Sequence, residues 1–234
     1  MTVKLAIMQP YFLPYIGYFQ LIAAVDLFIV YDNIKYTKKG WINRNRILRN
    51  GADVMVSLPL AAASDSCDIV ERRLAADFKP QKLLAQIAGA YRAAPFFRET
   101  TPLIERIAMF EEWNLFRFNL HSIQQVCAHL GVATPVRVSS DFAIDPSLTA
   151  QDKVLALCEA AGADIYVNPI GGVGLYAREA FQARGIELRF QRSDPFDYPQ
   201  FGADFVPWLS IVDVMMFNPI DAISARLTHG WKYA

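Results

Sequence analysis

LAIMQPYFLPYIGYFQLIAAVDLFIVYDNIKYTKKGWINRNRIL, residues 5 to 48, changes hydrophobic period twice, and the two changes decide the fold. Leu5-Ala6-Ile7-Met8 is an apolar run short enough for a buried strand, and Pro10 and Pro14 forbid its continuation. From Tyr15 the spacing turns helical: Ile16, Phe19, Ile22 and Ala23 recur on one face, and Pro14 sits where a first-turn proline is tolerated. A second apolar run, Leu27 to Tyr31, closes on Asp32-Asn33. Strand, tight turn, helix and strand within roughly thirty residues form a βαβ unit, which predicts a parallel pair with a right-handed crossover.

Ligands of such a sheet sit beyond the carboxyl ends of its strands, so Gln9 to Tyr18 and Asp32 to Arg46 are expected to face one crevice. The first segment brings the Gln9 amide, the hydroxyls of Tyr11, Tyr15 and Tyr18, the close approach that Gly17 permits, and a helix N-terminus that favours an anion. The second brings Lys35, Lys38, Lys39, Arg44, Arg46 and Arg49, with no acidic residue among them after Asp32. Arginine holds phosphate or carboxylate by a two-point fork and lysine as a point charge, so an anionic small molecule, phosphorylated by preference, is the expected partner. The competing reading makes the aromatics core and the cations a solvated surface. It serves for any one tyrosine better than for the set, because a buried hydroxyl needs a partner.

Tyr15-Ile16-Gly17-Tyr18 resembles the His-Ile-Gly-His signature of adenylate-forming and nucleotidyl-transferring enzymes, in the same place between first strand and first helix. The resemblance implies a mostly parallel, three-layer, nucleotidyltransferase-like α/β sheet, and it raises ATP as a cofactor. Tyrosine lacks the positive charge that histidine can carry, and no second lysine-rich phosphate motif follows late in the chain. The likeness therefore bears on fold more than on reaction.

Composition narrows the classes. The 234 residues suffice for a sizeable core in one α/β domain spanning 1–234, and the net charge of zero argues against a broad electrostatic grip on nucleic acid. Although 53% of residues are hydrophobic, no run approaches the roughly twenty needed to span a bilayer, and the N-terminus lacks a signal-peptide pattern. A cytoplasmic location is expected. Cys67, Cys127 and Cys158 form neither a CxxC pair nor a disulfide framework, and His121 and His129, eight apart without a matching carboxylate, predict no metal site.

Along the chain, Gly40 to Leu60 reads as a β-hairpin turning at Asn50-Gly51, with Trp41, Asn43, Asn45 and Ile47 on one side of its first arm. Arg44 and Arg46 point the other way, as a paired anion grip or as an exposed edge blunted by charge. Asp68 to Leu74 is expected to be a short strand. Pro80 to Gly131 reads as a helical insertion of three helices, the second opening at Thr101-Pro102.

The α/β pattern then returns, with strands at Val136–Val138, Asp164–Val167 and Ile186–Gln191 and helices over Gln151–Ala161 and Ala177–Ala183. Asn168-Pro169-Ile170-Gly171-Gly172-Val173-Gly174-Leu175-Tyr176 follows a strand, and its glycines let backbone approach a ligand, although the spacing is neither the dinucleotide nor the P-loop fingerprint. Trp208 to Phe217 reads as an apolar helix interrupted by Ser210 and Asp213, three apart on one face. A carboxylate there must be hydrogen-bonded, paired or protonated, which marks Asp213 as an acid/base candidate or as an anchor.

Four segments in order, MQPYFLPYIGYFQLIAAVDLFIVYDN, KKGWINRNRIL, YVNPIGGVGLY and FVPWLSIVDVMMFN, together resemble the WbqC-like protein family over nearly the whole chain. That family occurs with bacterial surface-polysaccharide genes, so the resemblance implies a transferase that attaches glycine or a similar aminoacyl group to an amino sugar of the O-antigen. Amide formation needs an amine deprotonated and an oxyanion stabilised, for which Asp32, Asp213 and Tyr18 are the catalytic candidates. The substrate-binding candidates are Gln9, Tyr11, Tyr15 and Gly17 in the first turn, and Lys38, Lys39, Trp41, Asn43, Arg44, Asn45 and Arg46 in the hairpin region. Asn168, Gly171, Gly172, Tyr176 and Ser210 complete the set from the second half. An ATP-dependent nucleotidyl or adenylyl transferase and a non-catalytic sugar-nucleotide-binding protein stand as the alternatives.

Overall fold

The computed structural model describes residues 2–202 and 204–234. The opening βαβ unit is present as β1 (Lys4–Met8), α1 (Ile16–Ala23) and β2 (Leu27–Val30), with β1 and β2 parallel in the register Leu5↔Leu27 to Met8↔Val30. With β5 (Val136–Val138), β6 (Ile165–Pro169), β7 (Glu187–Ser193) and β8 (Trp231–Tyr233) they form a six-stranded sheet in the order β5-β2-β1-β6-β7-β8. Only β8, antiparallel to β7, breaks the parallel pattern. The chain moves outward from β1 to β2 and β5, then returns to the far side of β1 and moves the other way. The switch point therefore lies between β1 and β6.

Strand alternation divides the core. Ala6, Phe28, Val30, Ile165 and Val167 face one side of the sheet, where they join α1, the separate hairpin β3 (Arg44–Arg49) and β4 (Ala52–Ser57), and helices α2 (Pro80–Tyr91), α3 (Phe97–Ala108) and α4 (Leu115–His129). The same layer takes in α7 (Ile211–Phe217) and α8 (Ile220–His229). Leu5, Ile7, Ile29, Tyr166, Leu188 and Phe190 face the other side, under α5 (Ala150–Ala160) and α6 (Arg178–Gln182). The result is an α/β architecture with helices on both faces of a mostly parallel sheet. Among the described residues no helix is long and apolar enough to cross a membrane.

Several elements differ from expectation for local reasons. Asp68 to Leu74 is not a strand: a 3-10 turn spans Ile69–Glu71, and the Glu71 carboxylate accepts from the Asp68 N–H at 2.7 Å, a side-chain bond that competes with strand pairing. Helix α3 begins at Phe97 and runs through Pro102, because burial of Leu103, Ile104 and Ile107 outweighs the N–H that proline lacks. Helix α7 begins only at Ile211; Ser210 is its N-cap, accepting from the Val212 N–H at 3.2 Å. The segment after β6 holds a 3-10 turn, Ile170–Leu175, before the five-residue α6.

Candidate active site

At the switch point lies a crevice of about 520 Å³, floored by Ile7 and Met8 at the end of β1 and by Tyr31 just past β2. One wall comes from the α1 side of the sheet: Tyr11, Pro14, Tyr15 and Tyr18, then Trp41, Asn45 and Arg46 from the hairpin region, and Trp208. The facing wall is Asn168, Gly171, Gly172, Leu175 and Tyr176, from the end of β6 and the turn after it. Residues far apart in sequence meet here because the carboxyl ends of β1 and β6 are neighbours.

The turn from Gln9 to Pro14 has no secondary structure of its own, so its carbonyls must find partners elsewhere. Asn45 Nδ2 donates to Phe12 O at 3.0 Å and to Leu13 O at 2.9 Å, while Asn45 Oδ1 accepts from the Arg46 N–H at 2.8 Å. Asn119 Nδ2 donates to Pro10 O at 2.8 Å, Ser210 Oγ to Leu13 O at 2.7 Å, and the Ile211 N–H to Pro14 O at 2.8 Å. These bonds hold Leu13 at a φ of +42°, in the left-handed region. Asn45→Ala would leave two buried carbonyls and one N–H without these partners. It is expected to cost roughly 2–4 kcal/mol in urea unfolding, with the loss showing first as raised hydrogen exchange at the Arg46 N–H, whose acceptor is removed.

The Tyr18 side chain is buried, and its hydroxyl donates to Gln9 O at 2.8 Å; burial also pushes its pKa well above the ordinary tyrosine value. It forms the wall and ties Gln9 down rather than offering a free proton-transfer group. Tyr15 is the N-cap residue of α1, but no side chain caps that helix. Its ring rests over Gly17, where an added methyl would overlap it, and meets Trp208 edge-on at 6.1 Å. Tyr11 and Tyr31 are likewise held protonated by burial, so the crevice tyrosines serve as hydrogen-bond donors at neutral pH.

Arg46 is the one charged residue lining the crevice among the described residues. Its guanidinium lies 5.6 Å from the Trp41 ring centre, bonds Asp53 Oδ2 and Trp208 O at 3.2 Å each, and leaves Nε buried without a partner. Among the described residues no carboxylate lines the crevice, so Arg46, tempered by its Asp53 pair behind the lining, and the uncapped start of α1 favour an anion there.

Other expected site residues lie outside this lining. Asp32 is buried beside β5, where its Oδ1 accepts from Ser139 Oγ at 2.7 Å and from the Ser140 N–H at 3.1 Å. Asp213 is wholly buried and accepts from Tyr91 OH at 2.8 Å and from Tyr198 OH and Gln200 Nε2 at 2.7 Å each. Arg44 turns back to Gly40 O at 3.1 Å, so the two arginines part despite their matching strand positions. Asn43 joins Tyr36 OH to Leu58 O, Lys38 pairs with Asp65 at the surface, Lys39 is exposed, and Ser210 is spent on its cap and on Leu13.

Tyr31, Ile34, Leu175 and Trp208 line the crevice without having been singled out. Tyr31 was legible as the last residue of the second apolar run. Trp208 was not, because its place depends on a left-handed φ of +60° just before α7. The buried Cys127 and Cys158 thiols are pushed up to about 12, which removes them as thiolate nucleophiles.

Comparison with known proteins agrees with the motif reading. The chain is 30% identical over 219 residues to the uncharacterized protein Rv1507c of Mycobacterium tuberculosis (strain ATCC 25618 / H37Rv), covering 92% of this chain and 93% of the relative. No solved structure matches it. The model of the WbqC-like protein family matches residues 9–225, which takes in both walls of the crevice, and the chain belongs to that family.

Proposed function

We propose that the switch-point crevice binds a phosphorylated sugar, a sugar nucleotide by preference. There, on this reading, the protein transfers glycine or a similar acyl group to an amino sugar of a bacterial surface polysaccharide. The observation that carries the binding half is Arg46, the one lining charge among the described residues, set among Trp41, Trp208, Tyr11 and Tyr15 beside the uncapped start of α1. Aromatic faces suit a sugar or a base, and a guanidinium beside helix N–H groups suits phosphate. The acyl-transfer half rests on the family resemblance. With no carboxylate in the lining among the described residues, those available to stabilise an oxyanion are Arg46, the tyrosine hydroxyls other than that of Tyr18, and α1.

Thermal shift of the purified protein with inorganic phosphate, ATP, UDP and UDP-sugars tests the binding half. A ligand at about a hundred times its Kd is expected to add about 2.7 kcal/mol of stability. Absence of any shift across the panel overturns it. The same lack, among the described residues, of a lining Asp, Glu, His, Cys or Lys favours a second reading, a sugar-nucleotide-binding protein without catalysis. Mass-spectrometric detection of acylated amino sugar separates the two, and ATP-dependent pyrophosphate release would point to nucleotidyl transfer instead.

A further inference from the structure

The wall facing Arg46 is built differently from a phosphate site. Asn168 is only 5% exposed, and its Nδ2 donates to the Tyr166 hydroxyl at 2.8 Å; that hydroxyl passes its own proton to the Tyr176 hydroxyl at 3.4 Å. Tyr166 cannot move to make room, since it is fully buried and stacks on Phe181 at 5.4 Å. The Asn168 amide is thereby oriented with its oxygen outward. Oδ1 accepts from none of the described residues and keeps some access to solvent, and it lies against Gly172, which lines the same crevice. Gly172 permits this placement: an added methyl there would fall on the Asn168 carbonyl.

An outward carbonyl oxygen repels phosphate and asks for a donor, and the unused Tyr176 O–H proton asks for an acceptor. We propose that Asn168, with Tyr166 as its positioning residue, reads the amine of the acceptor sugar while Tyr176 donates to a neighbouring sugar oxygen, so that the ligand lies with its phosphate toward Arg46 and its nitrogen toward Asn168. This rests on the sugar-nucleotide reading above and adds the direction in which the ligand lies. The glycine turn then serves an amide side chain rather than an anion. An N–H of the amine points to Asn168 Oδ1, which orients the nitrogen toward an incoming acyl group.

Isothermal titration with UDP, UDP-glucosamine and UDP-2-deoxy-2-fluoroglucose tests it, because fluorine matches the amine in size and has no proton to give. The wild-type protein is expected to prefer the amine by roughly fivefold, the worth of one neutral hydrogen bond. Tyr166→Phe keeps the stacked ring but frees the Asn168 amide to turn, and the preference is expected to fall below about twofold. Gly172→Ala, which displaces the same amide by a different route, is expected to do likewise, so a folding defect in either variant leaves the other to decide. Equal wild-type affinity for the two sugars, or a preference that survives both variants, overturns the inference while leaving the binding reading intact. Failure of all three ligands to bind overturns that reading itself.

Discussion

Replacing Asp213 with leucine is expected to destabilise the protein by roughly 3–6 kcal/mol, a large share of the roughly 5–15 kcal/mol that holds a typical domain together. The carboxylate is wholly buried and takes three hydrogen bonds, from Tyr91 on α2, Tyr198 and Gln200. Leucine fills the space but leaves three donors without an acceptor, each costing about 1–3 kcal/mol. Tyr91 OH also accepts from the Leu48 N–H at 2.8 Å, so the loss reaches the hairpin that carries Arg46. Urea unfolding followed by circular dichroism measures the cost.

Asp213→Asn provides the pH arm. Burial raises the Asp213 pKa above its ordinary value, with the three hydrogen bonds opposing that rise. The folded protein therefore holds the proton to higher pH than the unfolded chain does. Stability from this group is full below the unfolded value and falls as pH climbs to the folded one. Wild type is expected to lose stability relative to Asp213→Asn across that interval above pH 4 and to run parallel to it at higher pH. An Asp213→Asn protein of near-normal stability but without activity would show instead that this carboxylate serves chemistry.

Arg46→Met is expected to weaken binding of any phosphorylated ligand by about tenfold to a hundredfold, the worth of a hydrogen bond between charged partners. Stability should change by less than about 1 kcal/mol, because the Asp53 pair is partly exposed, at 29% and 46%. Arg46→Lys is expected to restore only part of the affinity, since an ammonium cannot reproduce the guanidinium fork or its contact with Trp41. Arg44→Met, whose parent side chain bonds Gly40 O outside the crevice lining, is expected to bind normally. Isothermal titration of the three variants decides it: equal losses from Arg44 and Arg46 would restore the paired grip that the hairpin pattern suggested.

Hydrophobic period exposed the βαβ opening and most helices, because each period reports a face that must be buried, and the Asn50-Gly51 turn exposed the hairpin. Pairing partners of β8 lay beyond its reach: a three-residue strand carries too little pattern, and its place depends on β7. Asn45 and Asn119 were equally opaque, since an asparagine that closes two distant carbonyls looks in sequence like any polar residue.

Local patterning determined that Gln9 to Tyr18, the hairpin and the glycine turn belong near the carboxyl ends of strands, because strand direction follows from the order of elements. Which side chains enter the crevice was decided by tertiary structure alone. Arg44 and Arg46 stand two apart on one strand, yet only Arg46 reaches the crevice; Asp32 and Asp213 satisfy their charges in the interior instead of facing it. A charged side chain goes where its hydrogen bonds can be completed, and those partners are brought to it from distant parts of the chain.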